Sequence, residues 1–121
     1  MYLSSNKHPA IIRDVLYQFG LTATSSAFFQ MSCAIHLTID DPTILIYTTK
    51  YLYPKVGREF HANWKSVERN LRRITLRAWQ NNPELFNKMA QYHYPRCPTA
   101  SQFIAAVAAY LSSERDHSAS A

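Results

Sequence analysis

The chain has 121 residues, thirteen Lys and Arg against eight Asp and Glu, and a formal net charge of +5. That length fits one domain, and a composition of 47% hydrophobic and 13% aromatic residues excludes disorder for most of the chain. Two glycines nearly exclude a nucleotide-cradling loop.

So few glycines, with short and widely spaced breakers, also favour helices over a many-turned β fold. The N-terminal "MYLSSNKHPA" lacks a basic region followed by an apolar run, so no signal peptide is expected. "HPAIIRDVLYQFG" predicts a first helix. Pro9 suits its first helical position, Ile11, Ile12, Val15, Leu16 and Phe19 make its apolar stripe, and Gly20 suits its C-terminal cap. "TSSAFFQMSCAIHLTI" predicts a second helix, begun by Thr24 or Ser25 and apolar on much of its surface, hence central. "DDPTILIYTTKYLY" predicts a third, with Asp41 as N-cap and Pro42 next, although its Ile, Thr and Tyr content also suits strands.

Pro54 opens a short helix over Lys55 to Phe60. "HAN" is a turn with His61 at its tight point, since His tolerates left-handed backbone better than most residues. Asn63 caps a longer helix reaching Trp79. "NNPELFNKMAQYHY" is a short helix or a loop with a helical turn or two. "PTASQFIAAVAAYL" is the last helix, with a Thr99/Gln102 capping box and a stripe of Phe103, Val107, Tyr110 and Leu111. Residues 1–112 are therefore expected to form a single all-α domain, a compact bundle of about six helices, and 113–121 a disordered tail.

No apolar stretch is long enough to span a bilayer, so a cytoplasmic protein is expected. Cys33 and Cys97 have no metal-ligand spacing and the five histidines are scattered. His93 and Cys97 stand four apart, but Pro95 argues against a continuous helix between them. Neither metal nor cofactor is expected, and the thiols read as reduced and structural. No supported catalytic constellation is visible, so an enzyme is not expected.

The charge is concentrated. From Lys55 to Arg77 the chain carries seven basic side chains and two acidic ones, and that segment's net +5 equals that of the whole chain. Such concentration is a footprint for a polyanion. At about 100° per residue, Val67, Leu71, Ile74 and Ala78 share one stripe, and Lys65, Glu68, Arg69 and Arg72 lie opposite. Glu68 and Arg72 are spaced to pair. Gly57 inside the preceding helix makes sense if another helix crosses it closely. A small residue, a three-residue turn and a β-branched Val67 at this spacing fit a helix-turn-helix, whose second helix meets the DNA major groove. A merely solvated basic helix gives the same charge pattern. A membrane surface would attract the same charge, but Val67, Leu71 and Ile74 are needed by the core, which leaves no apolar face for lipid. On the DNA reading, Glu68, Arg69 and Arg72 meet base edges. Lys55, Arg58 and Lys65 meet phosphates, and Arg73 and Arg77 lie to the side and can do the same.

The run Leu52, Tyr53, Pro54, Phe60, Val67, Glu68, Arg69, Arg72, Ala78, Trp79 resembles the C-terminal DNA-binding effector domain of the stage zero sporulation protein A response-regulator family. "VLYQFGLTA" and "PTASQFIAAVAAYL" extend the resemblance from Ile11 to Leu111. It implies an all-helical domain with a helix-turn-helix that binds short repeated DNA boxes in sporulation and regulates transcription, with dimers on tandem boxes. It implies Glu68, Arg69 and Arg72 as base readers flanked by Asn63 and Lys65; Trp64, not a family residue, stands beside this face as a further flanking candidate or packs into the core. It also implies that residues 81–94 contact the RNA polymerase sigma subunit. The alternative is a non-enzymatic module that binds sigma factor or a full-length regulator through the aromatic-rich "ELFNKMAQYHYP". The chain departs from the family at His61, Trp64 and Pro83. It starts at Met1 without room for a receiver domain, so a stand-alone effector or an excised fragment is expected, and Asp14, Asp40 and Asp41 are not read as phosphoacceptors.

Overall fold

The computed structural model describes the backbone of residues 8–120 and the side chains of 9–113. Six α-helices follow one another: α1 (His8–Gln18), α2 (Ser26–Asp40), α3 (Tyr53–Phe60), α4 (Trp64–Asn81), α5 (Pro83–Ala90) and α6 (Ala100–Ser120). The fold is all-α, as expected, and no strand occurs among the described residues. The tail expected over 113–121 falls almost entirely on side chains outside those described; the backbone of α6 continues to Ser120.

Local chemistry sets the boundaries. After α1, Gly20 takes a left-handed φ of 76°, which lets its N–H reach Tyr17 O and lets the Leu21 N–H reach Leu16 O. Ser25 caps α2, its Oγ accepting from the Phe28 N–H at 3.3 Å. Thr99 and Gln102 close the capping box reciprocally, at 3.1 and 2.9 Å.

The third predicted helix is not an α-helix. Pro42–Tyr47 forms a 3₁₀ turn and Thr48–Leu52 a π turn. Asp41 does cap the segment, its carboxylate accepting from the Thr43 N–H at 3.1 Å. Five of the eleven residues are Ile or Thr, which lose side-chain freedom in an α-helix. Thr48 also donates its hydroxyl back to Leu45 O at 2.9 Å, and Tyr47 leaves helical geometry at φ −125°, ψ 58°.

Helix α2 is central, as predicted, packing against α1, α3, α4 and α6. It buries Phe28, Met31, Cys33, Ala34 and Ile35. Its buried Gln30 accepts from the Asn70 amide of α4 at 3.0 Å, which engages its carbonyl oxygen and pins the two helices in register. At the other end, Phe86 of α5 stacks on Phe103 of α6, and Phe19, Tyr94 and Trp79 approach the same pair edge-on, with centroids 5.0–6.1 Å apart. The predicted α6 stripe is buried at Phe103, Val107 and Leu111 and half-buried at Tyr110; Ile104 and Ala108 join it.

Candidate nucleic-acid interface

Helix α3, the turn 61–63 and α4 form one continuous unit. His61 ends α3 in the left-handed region (φ 52°, ψ 43°), as its place in the turn predicts, and the Ala62 N–H returns to Gly57 O at 2.8 Å. Gly57 is required, but not by a crossing helix as expected. A Cβ there would collide with the Ala62 carbonyl oxygen, so the close neighbour is the turn itself. Asn63 then caps α4, its Oδ1 accepting from the Lys65 N–H at 2.7 Å. The turn is thus fixed by a glycine before it, a left-handed residue within it and a side-chain cap after it.

Helix α4 has two chemically distinct faces. Val67, Leu71, Ile74, Thr75 and Ala78 are buried; Thr75 satisfies its hydroxyl on Leu71 O at 2.7 Å. Lys65, Arg69, Arg72, Arg73 and Arg77 are exposed, and no hydrogen bond or ion pair engages their charged side-chain groups among the described residues. Lys55 and Arg58 are likewise exposed on α3.

Glu68 differs from its expected neighbours. It is half-buried, at the edge of the face, and the expected Glu68–Arg72 ion pair does not close. Both charges act instead on the buried Tyr53 of α3. Burial raises that phenol above its ordinary range and a Ser101 hydrogen bond opposes the rise. The Glu68 charge adds to it, and the Arg72 charge lowers it. Without a closed pair, the Arg72 fork is not tied down on its own helix.

Trp64 is half-buried against the core, with the Lys65 ammonium 5.8 Å from its ring centroid. Leu76 was missed by the sequence reading. It is 44% exposed within the basic face, off the buried stripe. Its signal was available as the one large aliphatic residue of α4 that the wheel places among cations.

The segment 81–94 is less apolar outside than its sequence promises. Phe86 and Met89 are buried and Tyr94 is half-buried, leaving Tyr92, at 63%, as its exposed aromatic. Among the described residues no cluster of three or more His, Cys, Asp or Glu side chains can hold a metal. No described helix is long and apolar enough to cross a membrane.

A family model described as sporulation initiation factor Spo0A C terminal matches residues 12–111. The match lends the sigma-binding alternative no support. Its span runs from within α1 into α6 and encloses the α3–turn–α4 unit, and the chain belongs to this family of DNA-binding regulatory domains.

Proposed function

We propose that the chain is a sequence-specific transcriptional regulator of the sporulation type, with residues 1–112 acting as one effector domain and α4 lying in the DNA major groove. The observation that carries this reading is the division of α4: one face is sealed into the core, and the other presents Arg69, Arg72, Arg73 and Arg77 with no hydrogen bond or ion pair to their side chains among the described residues. Arg69 and Arg72 read base edges, since a free guanidinium can pair bidentately with guanine. Glu68, at the edge, reaches a cytosine amino group from the flank. Lys55, Arg58, Asn63, Trp64, Lys65 and Arg73 hold the backbone or flank the contact. The protein then works at the nucleoid, in the cytoplasm, and pairs on tandem boxes. Residues 81–94 are the part of this proposal with least surface to serve it, because most of their apolar groups are already in the core.

The test is a fluorescence-anisotropy titration against a duplex carrying the family's box and against a scrambled duplex, at several salt concentrations. Box-selective binding with a salt slope of several phosphates is expected. Equal, weak binding to both duplexes, falling steeply with salt, would sink sequence-specific reading.

A further inference from the structure

One cleft on the molecule is built by the flank of α4 and a loop distant from it in sequence. It has a volume of about 260 Å³, and its walls include Thr22, Thr24, Ser25, Arg73 and Arg77. No carboxylate lines it.

The two arginines stand one helical turn apart, about 6 Å along the axis. Like charges at this spacing repel, and no protein group among the described residues neutralises either one. They are also the last members of a ladder. Lys65, Arg69, Arg73 and Arg77 recur every four residues, and each step of four turns the side chain about 40° around the helix. The ladder therefore winds from the exposed face of α4 towards the loop at 20–25.

The opposite wall is polar and fixed. Thr22 and Thr24 share one hydroxyl–hydroxyl hydrogen bond of 3.0 Å. That bond uses one of their two hydroxyl protons, and the other has no acceptor within the described protein. The loop is anchored to α4 itself, because the Asn81 amide donates to Phe19 O at 3.0 Å. Gly20 permits that approach: a Cβ there would stand 2.8 Å from the Asn81 amide nitrogen. Two unpaired guanidinium groups facing a held pair of hydroxyls make a donor-rich cleft without an acceptor charge.

We infer that this cleft holds one backbone phosphate of the DNA, so that Arg73, Arg77 and the Thr22–Thr24 loop form a clamp on one strand while α4 reads the groove beside it. The inference rests on the DNA-binding reading above and adds to it a defined cleft shared by Arg73 and Arg77 with a loop remote from the helix-turn-helix.

The experiment compares the full chain with Arg77→Gln, with the neutral double change Thr22→Val/Thr24→Val, and with Arg96→Gln as a charge-matched control. Each is titrated against the box duplex, against a scrambled duplex, and against a set of box duplexes with a neutral methylphosphonate at successive positions. Arg77→Gln should weaken both natural duplexes about 5–10-fold, lower the salt slope by about one, and leave box preference intact. The double Thr change should weaken binding without altering the slope greatly, and Arg96→Gln should do little. At one methylphosphonate position the wild-type chain should lose affinity and Arg77→Gln should lose no more.

If the wild-type chain prefers its box but Arg77→Gln equals the Arg96 control, or if no methylphosphonate position shows that non-additivity, the clamp is overturned and the regulator stands. If inorganic phosphate alone perturbs the cleft while the methylphosphonate scan is flat, the site belongs to a small anion and the clamp is again overturned. If the wild-type chain binds neither duplex, the DNA reading falls and the clamp falls with it.

Discussion

Arg69 and Arg72 are exposed guanidinium groups with no internal partner, so replacing either removes little from the folded protein and much from a DNA contact. Arg69→Ala or Arg72→Ala should cost about 1–3 kcal/mol on a specific duplex and relax base preference at one position, read by competition binding. Lys55→Ala should weaken all sequences alike. Cys33 behaves in the opposite manner. It is fully buried, and burial pushes its thiol up to about 12, with the Glu59 charge adding and the Lys55 charge opposing. The thiolate is the reactive form, so Cys33 should resist alkylation in the native protein at any pH well below that value. It should label only on unfolding; Cys97, half-buried and raised less by burial, should label first. Mass spectrometry after timed iodoacetamide treatment checks the order.

At the scale of the element, the turn 61–63 is the most constrained piece of chain. Gly57→Ala forces a methyl group against backbone, which cannot rotate away as a side chain could. A loss of about 1–3 kcal/mol in urea denaturation is expected, together with weaker DNA binding, since the turn that sets α4 against α3 must shift to admit the methyl. The caps at Ser25, Asn63 and Thr99 and the stripes of α1, α4 and α6 were legible in the sequence because they depend on near neighbours. The stretch 42–52 was not. Asp41 and Pro42 signal a helix start, yet the β-branched run that follows settles into tighter and wider turns, with Pro42–Tyr47 against α2 and α6 and Thr48–Leu52 against α3, contacts that no local spacing announces. The role of Gly57 was read correctly as close approach and wrongly as to its neighbour, because spacing alone does not distinguish a crossing helix from a returning turn.

Across the whole molecule, the candidate site was only half legible for the same reason. The basic face of α4 follows from a wheel, but the cleft at its flank needs Thr22 and Arg77 to meet from 55 positions apart. The wheel places Glu68 with the exposed cations, whereas in the folded chain it is half-buried. Long-range bonds decide these matters: Gln30 with Asn70 and Phe19 with Asn81 tie the middle and the C-terminal end of α4 to the framework. A helix held at two points presents its face without first having to be ordered, which spares the ordering part of the entropic cost of association.

The two tryptophans give that helix a built-in optical readout. Trp64 stands at the start of α4 beside the cationic face, and Trp79 lies near its end, edge-on to Phe86 at 6.1 Å. Their emission should therefore separate two events. In the Trp79→Phe protein the remaining indole should change intensity when duplex is added. In the Trp64→Phe protein the remaining indole should stay silent to duplex and shift to the red only as urea opens the aromatic cluster between α4, α5 and α6.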